Sequence, residues 1–394
     1  MKRRYAEITG WGMYAPPRVV PNEAFVAMGL DTTNEWISSR TGIERRRVVE
    51  ADEATSDMAT KAATQAMAVA GLHAGDIDLI IVATCTPDHV MPATASIVQD
   101  RLGMLNAGAM DLNAACSGFV YALSTGAAQI ESGRAKHVLV IGADELSIYL
   151  DWKDRSTCVL FGDGAGAVVL SVAKEPGIMA STTGSDGSGA GLLTIKGASR
   201  RRASSNGAPG GSTNGTEEAP NGEATVITED GYLTMNGTQI FRWATQIMPR
   251  AAEQVMASSG LKPEDISLFI PHQANDRIMK ASAKRLGLPE EKVFSNVREY
   301  GNTSAASIPI AMCEALNTGR VDVGDYVVLS SFGAGLSWAA LALRWSVPIP
   351  SHVGPWKPIR RQVESRMAAV RSVLRRGERS VRTRIDKTLG KSED

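Results

Sequence analysis

The chain carries the same pattern of residues twice, and this duplication constrains its fold more than any other feature. In the first half, Gly71-Leu72-His73-Ala74-Gly75-Asp76-Ile77-Asp78-Leu79-Ile80-Ile81 closes a helical pattern and opens an apolar, β-rich run. Gly260-Leu261-Lys262-Pro263-Glu264-Asp265-Ile266-Ser267-Leu268-Phe269-Ile270 does the same in the second half. Ser132-Gly133-Arg134 then leads into Val138 to Ile141, as Thr318-Gly319-Arg320 leads into Tyr326 to Leu329. Finally, Phe161-Gly162-Asp163-Gly164-Ala165-Gly166 precedes the run Ala167 to Leu170, and Phe332-Gly333-Ala334-Gly335 precedes Leu336 to Leu343. Three matches in one order imply two copies of one unit, joined near Glu175-Pro176-Gly177. Apolar strand runs alternate with Ala-rich helical stretches such as Met58 to Val69 and Ala274 to Leu286, which predicts an α/β fold with mostly parallel sheets covered on both faces. Two sheets, with helices between and outside them, follow from halves at 1–175 and 176–346.

A length of 394 residues exceeds the usual span of one hydrophobic core, which agrees with a duplicated unit. The composition, 43% hydrophobic and 21% charged, is that of an ordinary globular protein. Cys85, Cys116, Cys158 and Cys313 form no CxxC pair, and the histidines do not cluster with them, so neither a metal site nor a disulfide framework is expected. The charged start has no apolar stretch behind it and no run is long enough to span a bilayer, which reads as a cytoplasmic protein. The net charge of zero hides an asymmetry: the tail 347–394 carries about +7, and the body the opposite charge. That tail patterns as a basic amphipathic helix, with Val363, Met367, Val370 and Leu374 recurring among arginines. Packing on the protein, attraction of an acidic carrier and contact with an anionic membrane are its three readings, in that order. The stretch 197–224, rich in Gly, Ser, Asn, Pro and Arg, reads as a disordered surface insertion.

Cys116 lies in Asp111-Leu112-Asn113-Ala114-Ala115-Cys116-Ser117-Gly118-Phe119, where a short strand turns into a long helix. A thiol at a helix start is biased toward thiolate by unpaired N–H groups and the dipole, so the pattern suits a nucleophile. It equally suits a small buried apolar residue, and Cys85 and Cys313 fit that reading better. Superimposing the two helix ends, Arg134 on Arg320, sets Cys116 opposite Asn302. His272 follows the repeated strand directly, where α/β sheets place ligand-binding groups.

At these three blocks the chain resembles the thiolase-like condensing enzymes, most closely the β-ketoacyl-acyl-carrier-protein synthase III family. The likeness runs from about Ile8 to Trp345, leaving out the insertion 197–224 and the tail. The motifs that carry it are Ala114-Ala115-Cys116-Ser117-Gly118-Phe119, Pro271-His272-Gln273-Ala274-Asn275 and Gly301-Asn302-Thr303-Ser304-Ala305. The resemblance implies a thiolase-like αβαβα core in a homodimer, with Cys116, His272 and Asn302 as the catalytic set. Cys116 would take an acyl group from acyl-CoA. His272 and Asn302 would polarise a malonyl-acyl-carrier-protein thioester as it loses carbon dioxide. It further implies an oxyanion hole from the N–H groups of Cys116 and Ala334, although relatives commonly have glycine at the latter position, and a positive φ there would strain an alanine. Trp36, Arg40, Arg155 and Asn275 fall at coenzyme A contacts, Met91 and Phe332 at the acyl pocket, and Arg242, Arg277, Lys280 and Lys284 at the carrier-docking face. No metal, resident cofactor or nucleic acid is implied; acyl-CoA is a substrate.

Three rivals share parts of this pattern. A simple acyltransferase of the same architecture would not need both enolate stabilisers. A hydroxymethylglutaryl-CoA synthase needs an acidic base that the sequence does not place. A non-catalytic partner subunit typically lacks the cysteine. Met91 stands where some relatives close the acyl pocket with a bulky aromatic, and an unbranched thioether adapts to varied shapes. Initial rates with butyryl-CoA and isobutyryl-CoA are therefore expected to exceed that with acetyl-CoA; acetyl-CoA matching or leading them would overturn the reading of Met91.

Overall fold

The computed structural model describes residues 3–196 and 231–349. The insertion 197–224, and the tail apart from residues 347–349, lie outside the described residues. The first half forms a five-stranded sheet from β1 (Tyr5–Tyr14), β4 (Leu79–Ala83), β5 (Gly108–Leu112), β6 (His137–Asp144) and β7 (Gly164–Ala173), ordered β1-β7-β6-β4-β5. The second half forms a four-stranded sheet from β8 (Ile178–Ser185), β11 (Ile266–Pro271), β12 (Tyr326–Gly333) and β13 (Ser337–Arg344), ordered β8-β13-β12-β11. Strand for strand the orders correspond. β4 runs parallel to β6 as β11 does to β12, and β6–β7–β1 pair antiparallel as β12–β13–β8 do. The counterpart of β5 is reduced to one bridge between Phe269 and Val293.

Strand alternation explains the layering. Val138 and Val140 of β6 point into a central core shared with Leu268, Ile270, Val327 and Leu329 of the other sheet, while Leu139 and Ile141 point outward. Between the sheets lie α5 (Gly118–Glu131) and α9 (Ser307–Asn317), contributing Phe119, Leu123, Ile308 and Met312 to that core. Helices α3 (Thr55–Ala70) and α4 (Thr94–Leu102) cover the outer face of the first sheet, and α6 (Gly237–Ser258) and α7 (Asp276–Leu286) that of the second. The order of layers is helix, sheet, helix, sheet, helix, as the thiolase-like expectation requires. Three short helices, α1 (Asn22–Ala27), α2 (Asn34–Thr41) and α8 (Val297–Tyr300), and two hairpin-like pairs complete it: β2 (Arg18–Pro21) with β3 (Arg45–Val48), and β9 (Leu193–Ile195) with β10 (Leu233–Met235).

The two central helices differ in length, 14 residues in α5 against 11 in α9. Each follows a short 3-10 turn whose first residue is a non-glycine in the left-handed region, Ala115 at φ 47° and Ser304 at φ 50°. Matched at these turns, Cys116 is equivalent to Ala305, and Asn302 precedes that position. Superimposing the C-terminal arginines displaces the starts by the length difference, so Asn302 is delivered by the chain entering the turn rather than by the helix itself.

The starts of the central helices press on bare backbone of the sheets. A Cβ added at Gly142 of β6 would stand 2.2 Å from the carbonyl oxygen of Ala305. Gly142→Ala is expected to lower stability by about 1–3 kcal/mol, measured by urea unfolding, because a main-chain atom cannot rotate aside. An unchanged midpoint would show that the two layers part more easily than this contact implies.

Candidate active site

The nucleophile turn is pinned from both sides. Asn113 Oδ1 accepts the Ala115 N–H (3.1 Å), Ser117 N–H donates to Ala114 O (3.1 Å), and Ser337 Oγ donates to Ala114 O (3.0 Å). The last bond ties the cysteine turn of one half to the first residue of β13 in the other. Gly333 lies directly against it: an added Cβ would be 2.8 Å from Cys116 N and 3.1 Å from Ser117 N. Only a glycine there leaves the Cys116 N–H open toward a ligand.

Cys116 is buried, and burial pushes its thiol up to about 12, the nearby Asp144 carboxylate adding to the rise and a hydrogen bond with Ser304 opposing it. The bias toward thiolate expected of a helix start is thus outweighed by desolvation, and at neutral pH the group is a thiol. Cys85, which the sequence suggested was structural, sits beside it: its Sγ is 3.8 Å from Ser304 Oγ, and its side chain is only partly buried.

His272 follows β11, its N–H donating to Ser330 O of β12 (2.8 Å). Nδ1 is 2.6 Å from Ser307 Oγ, the first residue of α9, while Nε2 is buried with no hydrogen-bond partner. Desolvation alone lowers the imidazole to about 3, so the ring is neutral across the physiological range. The Nδ1–Ser307 pair is compatible with either ring tautomer; the one in which the Ser307 hydroxyl donates to Nδ1 puts the ring proton on Nε2. Asn302 Oδ1 accepts the Ser304 N–H (2.9 Å), which leaves Nδ2 as the donor end of the amide. Its backbone pairs with Leu160 O (2.8 Å) and the Gly162 N–H (3.0 Å). That segment is fastened by the wholly buried Arg46, which donates to Val159 O (2.6 Å), Val20 O (3.0 Å) and Asn22 Oδ1 (2.9 Å).

Shared neighbours bring the three residues together. Ser304 touches Cys116 and Asn302; Ser307 holds His272; Phe332, 5.2 Å ring to ring from His272, is followed by Gly333 against Cys116 N–H. Asp144, fully buried, accepts hydrogen bonds from Thr84 Oγ1 (3.0 Å), the Cys85 N–H (2.8 Å), Thr86 Oγ1 (3.1 Å) and the Ala305 N–H (3.0 Å), locking the residue 84–86 loop to the Ser304 turn. Ser304, Ser307 and Asp144 escaped sequence reasoning because nothing local distinguishes them. Phe332, expected at the acyl pocket, packs in the cluster around Ile240 and Trp243 and against His272, while Cys85 packs against a separate cluster that includes Phe25, Leu146 and Phe161. Ala334 is not among the described residues with positive φ, so the alanine is unstrained there.

The peripheral candidates also cluster. Arg40 and Arg155 cap the Trp36 ring at 4.6 and 5.0 Å, and Asn275 Nδ2 donates to Arg40 O (3.0 Å). Arg155 also pairs with Asp31. Arg277 lies 5.2 Å over Phe241, next to the exposed Arg242; Lys280 is paired with Asp276 (2.9 Å), and Lys284 is exposed. Met91 is 85% exposed and Val90 fully so, at the tip of the loop that Asp144 anchors.

A duplicated α/β core with a cysteine turn, an orphaned neutral imidazole and an asparagine amide meeting at its centre defines a thiolase-like condensing enzyme. Two family models match, 3-Oxoacyl-[acyl-carrier-protein (ACP)] synthase III over residues 110–187 and its C-terminal counterpart over 256–345. The β-ketoacyl-[acyl-carrier-protein] synthase III of Clostridium perfringens (strain SM101 / Type A) is 47% identical over 340 residues, covering 86% of this chain and 99% of that protein. The crystal structure of 3-oxoacyl-[acyl-carrier-protein] synthase III from Aquifex aeolicus VF5 matches with a TM-score of 0.77 at 42% identity, over 86% of this chain and 100% of that one. The priming β-ketosynthase of the R1128 polyketide biosynthetic pathway matches at 0.78 and 37%, over 88% and 98%. The chain belongs to the β-ketoacyl-acyl-carrier-protein synthase III family. It is an acyl-transferring condensing enzyme of the kind that starts fatty-acid synthesis.

A thiol pushed up to about 12 has a thiolate fraction that climbs about tenfold per pH unit throughout the accessible range. Alkylation of Cys116 by iodoacetamide, followed by peptide mass spectrometry, is expected to accelerate without a plateau between pH 6.5 and pH 9.5 (roughly the range in which the fold is workable). A plateau near neutrality would restore the thiolate expectation.

Proposed function

We propose that Cys116 carries the acyl group between acyl-CoA and a malonyl-acyl-carrier protein, and that His272 and Asn302 stabilise the enolate formed when the malonyl group loses carbon dioxide. The observation that carries this reading is the buried, unpartnered Nε2 of a His272 held neutral. Leaving such a group unpaired costs about 1–3 kcal/mol, and a substrate carbonyl would satisfy it. In the first half-reaction, Cys116 Sγ attacks the acyl-CoA carbonyl, and the thiol proton ends on the departing coenzyme sulfur. The N–H groups of Cys116 and Ala334 hold the oxyanion, and the coenzyme thiol leaves protonated. Trp36, Arg40, Arg155 and Asn275 hold the nucleotide end, an indole for the base and guanidinium groups for phosphate.

In the second half-reaction, His272 Nε2–H and Asn302 Nδ2–H hydrogen-bond the malonyl thioester oxygen. The bond to the carboxylate breaks, and its electrons pass into the enolate that these donors stabilise. The enolate carbon attacks the acyl-Cys116 carbonyl, and collapse of the tetrahedral intermediate releases the sulfur as a thiolate, which takes up a proton from the solvent. Neutral donors suit this step: no base is required, because the enolate electrons come from the carbon–carboxylate bond as carbon dioxide departs, and acyl-CoA is consumed as a substrate with no resident cofactor involved.

Arg242, Arg277, Lys280 and Lys284 serve as the carrier-docking face, although the Lys280–Asp276 pair weakens its positive field. The exposed Val90 and Met91 and the position of β5 at the edge of its sheet among the described residues support a homodimer in which Met91 reaches the partner's acyl pocket. Among the described residues no helix is long and apolar enough to cross a membrane, which is compatible with a cytoplasmic location. Residues 1–175 and 176–346 act as two duplicated halves. The 37% identity to a priming ketosynthase of a polyketide pathway favours, as a second reading, a product that enters specialised metabolism.

Intact-protein mass spectrometry tests the central claim. After mixing with acyl-CoA, one acyl group is expected on the wild type and none on Cys116→Ala. Malonyl-carrier protein should then discharge it with release of a ketoacyl-carrier product. Loading without discharge would instead make the protein a simple acyltransferase.

A further inference from the structure

From the face bearing Arg242 and Arg277 to the imidazole of His272 runs an unbroken file of aromatic rings. Trp243 follows Arg242 on α6. Its centroid lies 6.2 Å from that of Phe332 at 79° and 6.2 Å from that of Trp338 at 67°. Phe332 in turn stands edge-on to His272, 5.2 Å away at 74°. Phe332 and Trp338 are opposite each other across the β12–β13 pair, and Trp338 is pressed onto Gly184 of β8, where an added Cβ would meet the indole at 2.3 Å. Trp338 therefore cannot retreat. Phe332 is wedged between Trp243, Trp338 and His272.

The imidazole has one hydrogen bond, through Nδ1 to Ser307. A single bond fixes one ring atom and leaves the plane of the ring, and with it the direction of Nε2, to packing. Edge-to-face contacts carry an angular preference that aliphatic contacts lack. The turn holding Cys116, by contrast, is fixed by hydrogen bonds of Asn113, Ser117 and Ser337 and by no aromatic ring; it meets the file only through the backbone of Gly333 and Ser337, the neighbours of Phe332 and Trp338.

We propose that Trp243 is a positioning residue for the condensation half-reaction: through Phe332 it holds the His272 imidazole in the plane that aims Nε2 at the malonyl thioester. The inference rests on the reading of His272 as a carbonyl donor. It assigns Trp243 no part in loading Cys116.

The test uses the full-length enzyme with Trp243→Leu and Trp243→Phe. Acyl transfer from acyl-CoA to Cys116 is followed by quenched mass spectrometry, and condensation is followed separately, starting from acyl-enzyme and malonyl-carrier protein. Trp243→Leu is expected to lower the condensation kcat about 10- to 100-fold, the scale of a small misplacement of a catalytic group, with KM for malonyl-carrier protein and the loading rate unchanged. Trp243→Phe, which keeps a ring, is expected to recover most of the loss. A parallel fall in loading and condensation would mark Trp243 as a general packing residue. Leucine performing as well as phenylalanine, or a change confined to KM, would also overturn the proposal. His272→Ala separates the two levels: near wild-type condensation by that variant removes the donor reading itself, whereas its inactivity beside a fully active Trp243→Leu removes only the role of Trp243.

Discussion

Two apolar helices enclosed between two sheets dictate most of what this protein can do. Because α5 and α9 are enclosed by strands, their first turns open into protein rather than water. Every polar group there must find a partner from the chain. The partners come from across the molecule: Ser337 of β13 for the cysteine turn, Asp144 of β6 for the Ser304 turn, and Ser307 for the histidine. Among the described residues the Nε2 of His272 is left unpaired there, beside the amide of Asn302 and the Cys116 N–H that Gly333 leaves open. The chemistry occupies the places where the packing problem was left unsolved.

Enclosure also sets the charge states. The same exclusion of water that raises the Cys116 thiol keeps the His272 ring neutral, so the resting site holds neither a thiolate nor an imidazolium. Neutral donors in a dry cavity need little reorganisation when an enolate forms, and they do not titrate in the physiological range. The Asp144 carboxyl accepts four hydrogen bonds, from two hydroxyls and two backbone N–H groups. These four bonds brace the centre.

The duplication, the layered α/β class and the three motif blocks were legible in the sequence because each is written in local signals: glycine-punctuated helix ends, apolar runs and short motifs. What could not be read is long-range. The register between Cys116 and Asn302 depends on α9 being shorter than α5, and that difference is compensated in a loop, so no local pattern reveals it. Cys85 looked like a core cysteine because its neighbours in sequence are apolar strand residues. Its proximity to Ser304 arises only when the two halves meet. Arg46, flanked by two other arginines, reads as surface charge yet is buried entirely, its planar group fitted to carbonyls and to Asn22. The insertion and nearly all of the tail fall outside the described residues, and their roles stand as the sequence left them.

The carboxylate of Asp144 has a consequence for how such an enzyme can diversify. It grips residues 84–86 at the root of the exposed loop and, with its other oxygen, the turn that delivers Asn302. Changes at the root would be felt at the reacting centre, while the tip, His89 to Met91, stands in solvent in the isolated chain. Substitution is therefore channelled to a few outward residues, where a lineage can explore new surfaces without disturbing the chemistry behind them.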